Sequence, residues 1–194
     1  MGFLERLFGG RFTLPPPDET NLSSSAILKE LRPGAQNPGQ RHALKTFAET
    51  LLARAPEQEG ARLVQRILRK YAMGDSTCTA LTEGLLDDAR GQKLEYLALL
   101  SVDWRGYDEF EYSAPYLVEA AGLPQTYVYR HTGTSSMPQV LEHFDQWLAG
   151  LGKRFVHLDS EDDRYTGFIV AVDQVAAMIE LARASDIRVS LDSF

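Results

Sequence analysis

Hydrophobic residues recur at three- and four-residue spacing along the first half of the chain, which predicts amphipathic helices. The stretches with this spacing are a short one ending at Leu31 and residues 44–52, 64–71 and 81–86. Pro56 and Gly74 follow two of these stretches, and both residue types end helices. Ser76 or Thr77 offers a side-chain cap for the last one. We therefore predict a helical subdomain over residues 23–90.

The second half alternates between short apolar runs and helical stripes, which is typical of a chain with both strands and helices. The predicted strands are residues 94–104, 126–130, 154–158, 166–172 and 187–191. The predicted helices are residues 114–121, 137–151 and 175–182. Pro115 is expected in the first turn of its helix, because proline lacks the N–H that an interior position needs. This half is predicted to be an α/β sheet domain over residues 91–194.

The order of these elements predicts the fold class α+β. From strand 126–130 onward the order is strand, helix, strand, strand, helix, strand, which is the ferredoxin-like βαββαβ order. Strand 94–104 would add one extra N-terminal strand through a parallel crossover. We therefore expect a mixed β-sheet with helices mostly on one face. Residues 1–22 precede both predicted domains as an amphipathic start and a Pro-rich linker, and the start suits either a membrane surface or docking onto protein.

Charge is unevenly distributed, and this narrows the classes of partner. The chain carries 27 acidic and 20 basic side chains, a formal net charge of −7. Residues 1–90 sum to +1, whereas residues 91–194 sum to −8. The strongly acidic half argues against a protein that coats nucleic acid and suits a basic protein partner. No run of about 18 apolar residues occurs, so no transmembrane segment is expected.

Motifs that identify enzymes are missing from the sequence. Residues 133–137 lack the closing glycine of a nucleophile elbow, and residues 150–153 lack the first glycine of a phosphate-binding loop. The single cysteine, Cys78, excludes an intrachain disulfide framework and has no histidine near it in sequence. We therefore assign no catalytic residue, no metal ligand and no cofactor.

Two segments of the acidic half combine carboxylates with aromatic rings, and we take them as candidate ligand- or partner-binding segments. The first follows predicted strand 94–104, and crevices form at such strand ends. Its candidate residues are Asp103, Trp104, Tyr107 and Asp108. The second is the turn before predicted strand 166–172. Its candidate residues are Asp159, Asp162, Asp163 and Tyr165.

Each segment also has a purely structural interpretation. Asp108 can cap the turn that follows it, and Trp104 can cover the end of the sheet. The acidic turn can be a solvated hairpin turn or a loose cation site. It is not an EF-hand, because a loop starting at Asp159 would need glycine at Arg164 and glutamate at Val170. The sequence leaves open whether the two segments converge.

The segments SVDWRGYDEFEY (101–112) and HLDSEDDRYTGFIV (157–170) resemble an uncharacterised bacterial family with a domain of unknown function. The resemblance covers roughly residues 95–194. It implies a coherent domain, and because the family has no known activity it implies no catalytic residues.

Three functions remain open at this point. The leading hypothesis is a non-catalytic binding or regulatory protein, similar to small acidic immunity proteins, whose acidic and aromatic surface binds a basic protein partner. The first alternative is a carboxylate- or metal-dependent hydrolase, because paired carboxylates can perform acid–base chemistry. The second is a small-ligand sensor with a closed apolar pocket near Trp104. We expect a cytoplasmic protein that binds no nucleic acid, and its oligomeric state is left open.

Overall fold

The computed structural model of the protein describes residues 37–160 and 162–194. Residues 1–36 and Glu161 lie outside the described residues. The predicted amphipathic start and linker over residues 1–22 and the short helix ending at Leu31 therefore also lie outside them. No helix in the described part of the chain is both long and apolar enough to span a bilayer.

Helices come first in the described residues, as the hydrophobic spacing predicts. They are α1 Pro38–Leu51, α2 Glu57–Ala72 and α3 Thr77–Leu86. The side chain of Asn37 caps α1 by accepting a hydrogen bond from the Gly39 N–H at 2.9 Å. Ser76 caps α3 by accepting one from the Thr79 N–H at 3.1 Å, so the predicted cap is confirmed.

Strands and helices alternate in the rest of the chain. In chain order they are β1 Leu100–Asp103, α4 Tyr107–Ala120, α5 Met137–Ala149, β2 Lys153–Leu158, β3 Arg164–Ala171, α6 Val175–Ala184 and β4 Val189–Ser190. The predicted strand 94–104 is shorter than expected, because Leu94–Tyr96 forms a single 3₁₀ turn before β1 begins. The class α+β is confirmed for the described residues.

The sheet of the described residues has the strand order β1-β3-β2-β4. Every neighbouring pair is antiparallel, so the predicted mixed sheet is wrong. β1 and β2 lie on opposite sides of β3, and α4 and α5 connect them without making them neighbours. The ferredoxin-like order with an extra N-terminal strand is not confirmed.

The predicted strand 126–130 is wrong, because this described segment is irregular and pairs with no strand. Its alternating pattern has another cause. The ring of Tyr127 is buried against Phe144, with ring centroids 4.7 Å apart, whereas Val128 beside it is exposed. A segment that crosses a core with one side buried shows the same period of two as a strand.

Pro115 lies in the interior of α4 and not in its first turn, which corrects the prediction. A proline at that position removes one helical hydrogen bond, the one that the carbonyl of Glu111 would accept. The helix begins eight residues earlier than Pro115, at Tyr107.

The sheet has a hydrophobic core on each face, so the expectation of helices mostly on one face is wrong. The first core joins α1, α2, α3 and α6 to side chains of the central strands that include Val156 and Phe168. The second joins α4 and α5 to side chains that include Val102 and Phe155. Both faces of the central hairpin are therefore covered, which holds the ends of its strands in place.

Candidate functional site

The two candidate segments converge at one end of the sheet. β1 and β3 pair with Asp103 opposite Arg164, so the end of β1 lies beside the turn between β2 and β3. Together they form an open cleft of about 650 Å³, which we call the sheet-end cleft. Its lining residues are Trp104, His157, Leu158, Asp159, Ser160, Asp162, Asp163, Arg164, Tyr165, Thr166 and Phe194.

Aromatic rings stand exposed at this cleft. Trp104 is 51% exposed and Phe194 is 58% exposed, and both line the cleft. The guanidinium carbon of Arg105 lies 4.0 Å from the centroid of the Trp104 ring, a cation–π contact. Exposed rings of this size are typical of binding surfaces, because their burial supplies much of the energy of association.

The carboxylates of the turn between β2 and β3 differ in their hydrogen-bond and ion-pair partners. Asp159 forms an ion pair with Arg188 at 2.5 Å. One oxygen of Asp162 accepts hydrogen bonds from the hydroxyl of Ser160 at 2.6 Å and from the backbone N–H of Arg164 at 3.0 Å. Asp163 is exposed. The first two therefore shape the turn, and Asp163 projects its charge at the surface.

Polar contacts fasten the turn to β1. The guanidinium of Arg164 donates to the hydroxyl and to the carbonyl oxygen of Ser101, each at 2.9 Å, and reaches the carboxylate of Glu109 at 3.2 Å. The Thr166 hydroxyl donates to the Ser101 hydroxyl at 3.1 Å. Tyr165, a predicted site residue, is half-buried and packs against the core under α4 and α5.

Asp103 lies at the edge of the cleft and not among its lining residues. Its carboxylate accepts a hydrogen bond from the backbone N–H of Arg105 at 3.0 Å. Its own N–H donates to Glu109 at 3.4 Å. Asp103 therefore supports the tight turn that presents Trp104.

Tyr107 and Asp108 are predicted site residues that the structure places away from the cleft. The Tyr107 ring stacks on His131, with centroids 3.6 Å apart and planes 12° apart. The ring nitrogen Nδ1 of His131 is hydrogen-bonded to the hydroxyl of Tyr129 at 2.8 Å. Burial is the main reason that the pKa of Tyr129 is raised.

Asp108 belongs to a second acidic and aromatic surface along helix α4, which we call the α4 groove. Its lining residues are Asp108, Glu111, Tyr112, Pro115, Tyr116, Glu119 and Arg130. Tyr112 is 58% exposed and its ring centroid lies 5.5 Å from that of Tyr116. The backbone N–H of His131 donates to Glu111 and is the main cause of the lowered pKa of that carboxyl. Sequence reasoning missed this groove, although residues 108, 112, 115 and 119 share one helical face.

His157 also lies at the candidate site, although the sequence did not identify it as a site residue. It lines the sheet-end cleft, and only 5% of its surface is exposed. Burial lowers the pKa of its imidazole to about 4, so the ring is neutral near pH 7. A single histidine in an alternating strand carries no sequence signature, and only its position in the sheet reveals it.

Metal ligands were not predicted from the sequence. In residues 37–160 and 162–194, no three side chains of His, Cys, Asp or Glu are placed to hold a metal ion together. The carboxylates of the described part of the acidic turn instead face Arg188, Ser160 and the backbone of Arg164.

Comparison with known proteins identifies a family. A family model described as "Domain of unknown function (DUF6630)" matches residues 25–192. The predicted resemblance to an uncharacterised domain family is therefore confirmed. The match extends beyond residues 95–194 and includes α1, α2 and α3. The comparisons with curated proteins and with solved structures found no match.

Proposed function

This chain belongs to the DUF6630 family, and we propose that it is a non-catalytic binding or regulatory protein, comparable to small acidic immunity proteins. It binds a basic protein partner through the sheet-end cleft and the acidic, aromatic surface around it. We further propose that it is a bacterial, cytoplasmic protein that binds no nucleic acid.

The observation that carries this proposal is the convergence of the two acidic and aromatic segments. Trp104 comes from the end of β1, and Asp162 and Asp163 come from the turn between β2 and β3, yet all three line one cleft. Exposed rings beside exposed carboxylates are suited to a partner with apolar and cationic side chains. Hydrogen bonds of Arg164 to Ser101 and of the Arg164 N–H to Asp162 fasten the turn beside the end of β1.

Charge at this end of the sheet favours a basic partner. Five carboxylates lie at the cleft or beside it, against three guanidinium groups. The carboxylates belong to Asp103, Glu109, Asp159, Asp162 and Asp163, and the guanidinium groups to Arg105, Arg164 and Arg188. The excess negative charge attracts a basic surface over a distance of about one Debye length, roughly 8 Å at physiological salt.

A carboxylate-dependent hydrolase is the second candidate, and the same convergence favours it. Asp162 and Asp163 share the cleft with the neutral imidazole of His157, and an acid–base pair needs groups in such different environments. Steady hydrolysis of any ester, amide or phosphoester in a substrate panel, lost in Asp163→Asn, would support it over the binding role.

A ligand sensor would need a closed apolar pocket, which the sequence predicts near Trp104 but which fits a different part of the structure better. The cleft near Trp104 is open, and charged side chains line it beside the aromatic rings, so it is not the closed apolar pocket that a sensor needs. A smaller cavity of about 370 Å³ with many apolar lining residues lies at the opposite end of the sheet, beside Lys153 and Ala171. We retain it as a candidate small-ligand site and do not assign it a ligand.

The test of the binding role compares one variant of the cleft with matched controls. The cleft variant combines Trp104→Ala, Asp162→Asn and Asp163→Asn. The controls are Met73→Ala, which removes an exposed apolar side chain elsewhere, and Glu180→Gln, which removes an exposed carboxylate on α6. Proteins bound to the immobilised wild-type chain are identified, purified and titrated against all variants at low and high salt.

We expect one basic partner whose affinity falls at least about tenfold for the cleft variant and also falls as salt rises. The two controls should stay within about twofold of wild type. The proposal is contradicted when the cleft variant binds the purified partner as tightly as the wild type does. It is also contradicted when no protein binds the wild type at low salt.

A further inference from the structure

A nearly buried histidine without a partner lies at the base of the sheet-end cleft. Among the described residues, nothing forms a hydrogen bond or ion pair with either ring nitrogen of His157. The ring packs edge-on against Phe155, with centroids 4.9 Å apart. Arg66 Nε is the one fully buried side-chain nitrogen or oxygen without a partner among the described residues, so the ring nitrogens of His157 keep contact with the cleft. A donor that enters the cleft can therefore reach them.

The chemistry around this ring selects the kind of group that enters. The imidazole is neutral near pH 7, so one of its nitrogens is a hydrogen-bond acceptor with a free lone pair. Asp162 and Asp163 line the same cleft and disfavour an anion. A positively charged hydrogen-bond donor satisfies the ring nitrogen and the carboxylates together.

Aromatic rings at the cleft narrow the choice to a guanidinium. A guanidinium is planar, stacks on aromatic faces and presents several donors in a fixed fork, whereas an ammonium is a strongly hydrated point charge. One face of the Trp104 ring already lies against the guanidinium of Arg105, which shows that this ring accepts such a contact. Phe194 supplies a second exposed ring in the same cleft.

We propose that the sheet-end cleft receives an arginine side chain of the basic partner. Its guanidinium donates a hydrogen bond to the ring of His157 and pairs with the carboxylates of Asp162 and Asp163. This inference rests on the proposed function, because it names the chemical group that the partner inserts. It makes arginine the residue that determines the specificity of the interaction.

The test titrates the full chain with three small probes while NMR follows the ring signals of His157. The probes are N-acetyl-arginine amide, N-acetyl-lysine amide and N-acetyl-citrulline amide, and citrulline has nearly the shape of arginine without its charge. We expect saturable shifts with the arginine probe, and apparent affinities at least about fivefold weaker for the other two. Asp162→Asn with Asp163→Asn should weaken the arginine probe by a similar factor, and Glu180→Gln should not.

Three results would overturn the inference: no shift of the His157 signals with arginine, equal binding of citrulline, or equal binding of lysine. The wild-type titration decides the matter by itself, because it follows the signals of the His157 ring directly. A failure here is distinguishable from a failure of the binding role. When the purified partner still loses affinity for the cleft variant, the binding surface stands and only the arginine assignment falls.

Discussion

Acidification should destabilise this protein through one histidine, and the variant His157→Gln isolates the effect. Burial lowers the pKa of His157 from 6.5 to about 4, while Asp145 and Asp192 oppose the shift without overcoming it. Between these two values the unfolded chain holds a proton on this ring and the folded chain does not. The free energy of unfolding therefore falls as the pH drops from 6.5 towards 4, and the contribution is fully present above 6.5.

The size of the effect follows from the same values. At about 1.4 kcal/mol for each pH unit, the full difference between the two pKa values corresponds to roughly 3.5 kcal/mol. Most of this, about 2 kcal/mol, is lost between pH 6.5 and about pH 5, where carboxylates are still largely ionised. A loss of this size is a large fraction of the stability of an ordinary domain.

Urea denaturation of the wild type and of His157→Gln at several pH values measures the effect. The wild type should lose about 2 kcal/mol more than the variant between pH 6.5 and about pH 5, because the variant lacks the buried imidazole. The matched control is His143→Gln, which removes an exposed histidine from α5 and should follow the wild-type curve. Parallel curves for wild type and His157→Gln would refute the reasoning, and so would an NMR titration of the His157 ring centred near its ordinary value.

Two further predictions concern stability and use the same denaturation measurement. Gly84→Ala places a methyl group 2.5 Å from Cγ1 and 3.1 Å from Cα of Ile67, so it should lower the free energy of unfolding by about 1–3 kcal/mol. The control Gly60→Ala places its methyl group no closer than 3.7 Å to any atom outside its own helix, so it should raise the free energy of unfolding by about 0.5–1 kcal/mol. Changes of the same sign in both variants would contradict this. Asp145→Ala removes the two oxygens that accept hydrogen bonds from Arg154 at 2.7–3.0 Å and should cost about 2 kcal/mol. A cost below about 0.5 kcal/mol would show that the pair contributes little.

Helices were predictable from the sequence because a helix with one buried face repeats that face every three or four residues. The stripe over residues 137–151 predicts α5, and the structure buries its members Met137, Phe144 and Leu148. The central hairpin was predictable for a similar reason, since β2 and β3 are apolar runs separated by a polar turn.

Elements that depend on distant pairing were not predictable. Residues 126–130 alternate like a strand, but whether such a segment pairs is decided by a neighbouring strand that the local pattern does not contain. The rings of Tyr127 and Trp147, with centroids 4.9 Å apart, hold the segment on helix α5. The alternation of apolar and polar residues at 126–130 therefore results from burial of one side of the segment and not from strand pairing.

The candidate segments were recognisable by composition, but their convergence required the register of β1 on β3. Ser101 lies opposite Thr166, and their hydroxyls are 3.1 Å apart. Arg164 also bonds to the hydroxyl and carbonyl of Ser101. A slip by one residue would break these bonds and turn every side chain of β1 to the other face, which would move Val102 out of its core. A few polar contacts at this edge thus place Trp104 beside the acidic turn, and the cleft exists because that register is specified.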